Sequence, residues 1–307
     1  MKSVDALLTA LVDYAGLFPP ASEDMRPALE AYASYVEGPE RAALGRFIVP
    51  LSRLDELEAV GSDLMPREPQ AEPWHLSALV TGDVRAAVEK LSLFNGRHTA
   101  TRAANGHVVV DVVEMKATTP DEIAAQCRDL PKSFTPYFEI PITGAVAGLV
   151  KAIAKAGARA KVRTGGTTPD AFPPAKAVVD FIATCHREGV PFKATAGLHH
   201  PIRGEYRLTY EPGGPKGMMY GFLNVFIAAT LLHAGAGKDA AIAALEESDA
   251  SAFIFEEDAL VWRGKRISAE EIAASRSELA ISFGSCSFRE PVDELEQLTG
   301  TTRANKQ

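Results

Sequence analysis

The sequence predicts one α/β domain folded as a (β/α)8 barrel with an N-terminal helical extension and a long loop after its sixth strand. Short apolar stretches typical of strands alternate with helical patterns, and this alternation indicates βαβ units around a parallel sheet. Eight strands within about 250 residues are the count and size of a closed barrel. The predicted strands are residues 46–51, 74–80, 107–113, 136–140, 158–164, 191–196, 252–255 and 280–285.

The segments between these strands begin with residues that start helices. Thr119, for example, precedes Glu122 by three residues, which is the pattern of a capping box ahead of an apolar run. An open doubly wound sheet is the alternative fold, and it normally carries a glycine-rich turn after its first strand. Residues 50–53, Pro-Leu-Ser-Arg, offer no such turn, and we expect no cofactor.

The predicted organisation has three parts. Residues 1–45 form a helical extension packed on the barrel, residues 46–300 form the barrel, and residues 301–307 form a frayed tail. Two segments are candidate covers for an active site: a rigid loop at residues 13–20, which could close one end of the barrel, and the lid-sized segment 198–217. A hairpin at 253–262 is expected in place of a plain seventh strand.

Charge and cysteine content exclude several classes of partner. The 307-residue chain has a net charge of −8, and its basic residues are scattered, which argues against nucleic-acid and membrane partners. We therefore expect a small-molecule partner. Three cysteines without a CxxC pair indicate neither a disulfide framework nor a zinc knuckle. This cysteine usage suits a reducing cytoplasm, and the chain has neither a signal-peptide apolar core at its start nor an apolar run of about 18 residues, so the sequence predicts a cytoplasmic protein.

One helical pattern, residues 222–233, is apolar nearly all round. A helix of this kind is expected either beneath another layer of its own chain or in a contact between subunits. The sequence leaves both open: a homodimer contact, or a barrel helix covered by the N-terminal extension.

The candidate catalytic residues follow from the rule that a barrel builds its active site at the carboxyl ends of its strands. Lys161 and Arg163 share one face of the fifth predicted strand, and Lys193 lies in the sixth. Because apolar helices cover the outside, these side chains are expected to point inward. Either Glu114 and Glu139 neutralise the crowded positive charge, or an anionic ligand does, or one lysine becomes neutral and nucleophilic.

These lysines lie in two short segments that resemble a known family. Residues 161–165, Lys-Val-Arg-Thr-Gly, and 193–197, Lys-Ala-Thr-Ala-Gly, are similar to the paired lysine motifs of deoxyribose-phosphate aldolase and related class I aldolases. The resemblance implies that Lys161 forms a Schiff base and that Lys193, on the next strand, lowers its pKa. Arg163, Gly166 and the long segment after the second motif depart from the family pattern and leave the substrate open.

The residues predicted to bind substrate surround the lysines. Two turns are candidate anion sites: the one that follows Arg163, and the glycine- and serine-rich turn at the end of the eighth strand. Cys286 could act as a nucleophile only with a histidine base nearby, and a small buried hydrophobe is the commoner role of cysteine. The full set is Arg163, Thr164, Gly165, Gly166, Thr195, His199, His200, Ser285 and Cys286.

A divalent-metal site is the alternative chemistry. Glu114, Glu139, His199, His200 and Cys286 have suitable ligand atoms. No HxH or HExxH spacing supports that hypothesis, and we predict no bound metal.

The functional prediction is thus an aldolase-like lyase for a small anionic carbonyl compound. Lys161 or Lys193 would form the iminium, Glu114 or Glu139 would move the proton, and Arg163 would hold the anion. A metal-dependent lyase or hydrolase and a non-catalytic ligand-binding barrel are the alternatives.

Overall fold

The computed structural model describes residues 1–68, 70–100 and 105–300. Its strands, in chain order, are β1 (Val12–Tyr14), β2 (Leu44–Pro50), β3 (Trp74–Leu79), β4 (Val108–Lys116), β5 (Thr135–Glu139), β6 (Arg159–Arg163), β7 (Phe192–Thr195), β8 (Gly204–Arg207), β9 (Lys216–Met219), β10 (Phe253–Phe255), β11 (Ala259–Trp262), β12 (Lys265–Ser268) and β13 (Ala280–Ser285).

Helices follow most of the barrel strands. They are α1 (Lys2–Leu8), α2 (Met25–Glu37), α3 (Leu54–Gly61), α4 (Val84–Ala100), α5 (Pro120–Arg128), α6 (Val146–Ala156), α7 (Ala175–Glu188), α8 (Phe222–His233), α9 (Lys238–Leu245), α10 (Ala269–Glu278) and α11 (Arg289–Thr299). The predicted capping box is present at α5, where the Thr119 side chain accepts a hydrogen bond from the backbone N–H of Glu122. α6 and α7 each end at a glycine in the left-handed conformation, Gly157 and Gly189.

Eight parallel strands close into a barrel and confirm the predicted (β/α)8 fold. β1 to β7 follow chain order around the ring, and β13 closes it by pairing with both β7 and β1. Buried apolar side chains fill the space between these strands and the surrounding helices. Parallel strands covered on the outside by helices must be apolar on that face. The buried charged side chains Glu114, Lys161 and Lys193 accordingly lie together inside the barrel.

Seven of the eight predicted strands are barrel strands, and the predicted seventh strand, residues 252–255, is not. Residues 253–262 form the predicted hairpin, but β10, β11 and β12 make a separate antiparallel sheet outside the barrel. The barrel strand is instead β1, three residues that pair with β13 and β2. A strand this short shows no period in the sequence. The barrel therefore begins within residues 1–45, the segment assigned to an extension; the predicted tail, 301–307, lies outside the described residues.

The segment after β7 is a folded hairpin rather than a plain loop. β8 pairs antiparallel with β9, from Gly204 opposite Met219 to Arg207 opposite Lys216. Leu208 and Met219 of this hairpin region face the carboxyl ends of the barrel strands, where a lid would lie.

The apolar helix predicted at 222–233 is α8, and its own chain buries it. It packs against α7, α9, α10 and β13, and every residue from Phe222 to Leu232 is buried. These neighbours of the same chain, rather than the N-terminal helices, account for its composition. Within the described ranges, no helix combines the length and apolar character needed to cross a membrane.

Candidate active site

A cavity of about 510 Å³ lies at the carboxyl ends of the barrel strands. This volume is in the range that holds small ligands. Its walls come from the loop after β1, the turns after β6, β7 and β13, and the β8–β9 hairpin region. Residues 15 and 18–20 are among the lining, so the predicted loop at 13–20 does lie at this end of the barrel.

Lys193 lies beneath this cavity and is sealed from solvent. Its Nζ donates to Asp13 Oδ2 at 2.6 Å and to Glu114 Oε1 at 2.7 Å, and it lies 5.6 Å from the centre of the Tyr137 ring. The side chain is 1% exposed. Two carboxylates therefore hold this ammonium group in place of water.

Lys161 occupies the matching position on the neighbouring strand but lies on the cavity wall. It is the register partner of Lys193 across β6 and β7. Its Nζ lies 2.8 Å from Glu114 Oε2 and 2.9 Å from Glu139 Oε2. Glu114 thus bridges the two lysines, one through each carboxylate oxygen. Of the two lysines, only Lys161 is part of the described cavity lining.

The electrostatics of the cluster favour the charged forms of Glu114 and Lys193. Burial disfavours the charged form of Glu114, but the ammonium groups of Lys161 and Lys193 outweigh it and hold the pKa of that carboxyl well below its usual range. Burial likewise disfavours the charged form of Lys193, but Asp13 and Glu114 raise its pKa above the usual value. Lys193 therefore stays cationic at neutral pH, and the first expectation, neutralisation by acids, describes the crowded lysines.

Glu139 links Lys161 to the two cations at the mouth of the cavity, Arg163 and Lys116. Its Oε1 lies 3.6 Å from Arg163 Nη2 and 3.8 Å from Lys116 Nζ, while its Oε2 faces Lys161. Burial works against ionisation of Glu139, yet Lys161, Arg163 and Lys116 together lower its pKa. The Arg163 side chain is 52% exposed, so its guanidinium remains accessible to a ligand.

The structure brings most of the predicted residues together, but not all of them. Thr164 is buried and donates from Oγ1 to the carbonyl of Ala196 at 2.8 Å, which ties β6 to β7. Neither Thr164, His200 nor Ser285 is part of the described lining. The predicted residues that do line the cavity are Glu114, Glu139, Lys161, Arg163, Gly165, Gly166, Thr195, His199 and Cys286.

The turn after β7 requires its glycine. Ala196 and Gly197 have φ values of +62° and +72°, the left-handed region that favours glycine. A Cβ on Gly197 would also lie 2.9 Å from the Cα of Gly165 on the neighbouring turn. The two glycines of the lysine motifs therefore let the ends of β6 and β7 approach each other, and the second directs the chain toward His199.

Cys286, His199 and His200 contact residues outside the lysine cluster. Burial raises the pKa of the Cys286 thiol to about 11, so at neutral pH it is not the thiolate that a nucleophile requires. His199 pairs with Glu290 at 3.0 Å and His200 with Glu294 at 2.8 Å, both on α11. In the described part of the chain, no three His, Cys, Asp or Glu side chains form a group suited to hold a metal ion.

Sequence reasoning missed Asp13, the second carboxylate on Lys193. It lies in β1, where Ser282 Oγ donates to its Oδ2 at 2.8 Å and the Arg46 backbone N–H donates to its Oδ1, also at 2.8 Å. An acid between Val12 and Tyr14 in an apolar stretch was the available signal, the same one that singled out the lysines. Glu290 carried no local signal, because its contact with His199 spans 91 positions.

Fold and site together define a (β/α)8 barrel with a buried cluster of lysine and carboxylate side chains beneath a cavity. No protein-family model and no curated protein matches this chain. Among solved structures it is similar to a nitroalkane oxidase from Streptomyces ansochromogenes, with 11% identity, 65% of this chain and 62% of that chain covered, and a TM-score of 0.32. The chain thus spans less than two thirds of that protein, and so distant a likeness assigns no activity to it.

Proposed function

We propose that this protein is an aldolase-like lyase that acts on a small anionic carbonyl compound through a Schiff base on Lys161. The observation that carries the proposal is the difference between two paired lysines. Lys161 reaches the cavity, whereas Lys193 is sealed beneath it as an ammonium group paired with two carboxylates. A cation beside an amine is one established way to favour the neutral, nucleophilic form.

The contacts around Lys161 supply a balanced route to the iminium. Its ammonium passes a proton to Glu139, 2.9 Å away, and the neutral amine attacks the substrate carbonyl carbon. The resulting carbinolamine receives that proton back from Glu139 on its hydroxyl, which leaves as water. Lys193 and Glu114 remain charged throughout and hold the amine in line with the cavity.

Arg163 suits the anionic part of such a substrate. It lies at the mouth, half-exposed, and its present contact with Glu139 is long at 3.6 Å. A guanidinium can form two parallel hydrogen bonds with a carboxylate or a phosphate, which neither Lys116 nor a backbone amide offers. The charge and the cavity volume together favour a small carboxylated or phosphorylated aldehyde or ketone.

Reductive trapping tests the proposal. The protein is incubated with pyruvate, dihydroxyacetone phosphate or glyceraldehyde 3-phosphate in the presence of cyanoborohydride, digested, and mapped by mass spectrometry. We expect an adduct on Lys161 whose mass identifies the carbonyl compound. Lys116 is the internal control, because it borders the same cavity and is 77% exposed, so non-specific reductive amination modifies it first. Labelling of Lys161 no faster than that of Lys116 contradicts the proposal.

A non-catalytic ligand-binding barrel is the second candidate, and one observation favours it. Both buried ammonium groups are already paired with two carboxylates each. On this hypothesis the same panel binds without forming an adduct. Isothermal titration with each compound, with and without reductant, separates reversible binding from covalent capture.

A further inference from the structure

A histidine on the cavity wall has a carboxylate partner that the steps above leave unused. His199 lines the same cavity as Lys161, and its Nδ1 lies 3.0 Å from Glu290 Oε2. An ionised carboxylate only accepts hydrogen bonds, so Nδ1 carries the hydrogen in this contact. In the neutral ring, Nε2 then holds the lone pair that accepts a proton.

The partner of His199 is itself held in place. Tyr210 donates from its hydroxyl to the same Oε2 of Glu290 at 2.8 Å, and the Glu290 backbone N–H donates to Ser287 Oγ at 3.1 Å. The His199 side chain is only 10% exposed. Orientation of an imidazole by a fixed carboxylate is the arrangement that enzymes use to prepare a histidine for proton transfer.

The lysine cluster offers no base matched to a hydroxyl proton, because Glu139 is already used to form the iminium and both carboxylates of the cluster have lowered pKa values. Aldol cleavage requires removal of a proton from the substrate hydroxyl, and an efficient base titrates near the working pH. The ammonium groups that surround Glu114 and Glu139 make both carboxylates weak bases. Histidine is the side chain whose ordinary titration range suits this step.

We infer that His199 is the general base of carbon–carbon bond cleavage and that Glu290 is its positioning residue. The inference rests on the proposed Schiff-base function. His199 Nε2 takes the hydroxyl proton, the oxygen forms the carbonyl of the released aldehyde, and the carbon–carbon bond breaks. Its electron pair moves through the iminium to Nζ of Lys161 and leaves an enamine; in the synthetic direction the same proton returns to the new hydroxyl.

The test separates iminium formation from cleavage. Wild type and His199→Ala are compared for two readouts: trapping of the donor carbonyl on Lys161 with cyanoborohydride, and aldol formation between that donor and glyceraldehyde 3-phosphate, followed by mass spectrometry of the product. We expect the trapped adduct to persist in His199→Ala while kcat falls by about 10²- to 10⁴-fold, the usual contribution of a general base. Added imidazole should restore part of the lost turnover, because it can occupy the space of the deleted ring.

His200→Ala is the matched control. It removes the neighbouring histidine, which has the same kind of carboxylate partner but stacks on Tyr206 and lies apart from the described cavity lining. Imidazole should leave its turnover unaffected. If His199→Ala does not fold, His199→Gln replaces it. Glu290→Gln should lower kcat with little change in KM, since it disturbs the base without touching the substrate.

The outcomes distinguish failure of the proposed function from failure of this inference alone. No adduct on Lys161 in the wild type overturns the proposed function and this inference with it. An adduct together with unchanged turnover in the His199 variant overturns the inference alone. Loss of the adduct in that variant also overturns it, because the histidine would then act before the carbon–carbon bond breaks.

Discussion

The barrel holds two lysines in register in different surroundings: Lys193 on the floor beneath the cavity, and Lys161 on the cavity wall. On the floor, Lys193 is enclosed by Asp13 and Glu114 and makes no contact with the cavity described above. On the wall, Lys161 shares Glu114 but turns toward the cavity beside Glu139. A buried ion pair that no ligand can reach can only stabilise the fold. One that borders a cavity can also take part in chemistry. The two positions should therefore respond differently to the same substitutions.

The largest effect on stability is expected for Lys193→Met. Removing the ammonium leaves Asp13 and Glu114 buried with one cation fewer, and breaking a buried pair from one side costs about 3–5 kcal/mol. Urea denaturation at pH 7 measures the loss. Asp13→Asn in the same chain should recover part of it, because it removes the orphaned negative charge. A change below about 1 kcal/mol, the range of an exposed ion pair, would show that the floor is hydrated rather than sealed.

Lys161→Met should cost less stability and more function. Its partner Glu139 keeps two other cations, Arg163 and Lys116, so we expect about 1–3 kcal/mol, the cost of one unsatisfied buried contact. The trapped adduct should disappear completely. Lys116→Met is the control, since its exposed side chain should affect unfolding by no more than about 0.5 kcal/mol. An adduct that persists in Lys161→Met would show that another residue is the nucleophile.

The sequence predicted the barrel and much of the wall, because both leave local signals. Alternating strands and helices recur along the chain, and a lysine inside an apolar strand is conspicuous wherever it occurs. The floor is different. β1 is three residues long, and its Asp13 meets Lys193 across 180 positions, so no local pattern reports the contact. The predicted seventh strand failed for a related reason, since residues 253–255 have strand composition but pair with β11 rather than with a barrel strand.

Acid should weaken the wall through Glu139. The cations around Glu139 lower its pKa below the ordinary value of a glutamate, so the unfolded chain binds this proton more readily than the folded one. Its stabilising contribution is present above about pH 5 and is lost as the pH falls through the folded value. Unfolding free energies measured from pH 7 to pH 3 should fall less steeply for Glu139→Gln than for the wild type. Glu56→Gln, at an exposed pair with Arg53, should change this slope less in 0.15 M salt.

The smallest effect on stability, and the most selective effect on function, is expected for Arg163→Gln. Its guanidinium is half-exposed and 3.6 Å from Glu139, so solvent screens the pair and unfolding should change by no more than about 0.5 kcal/mol. Loss of a charged hydrogen bond to a substrate anion, about 1.5–3 kcal/mol, should raise KM by roughly 10- to 150-fold with little change in kcat. Steady-state kinetics with the trapped carbonyl compound measures both constants. A fall in kcat with unchanged KM would instead show that Arg163 acts at the reacting carbon, as Lys161 is proposed to do.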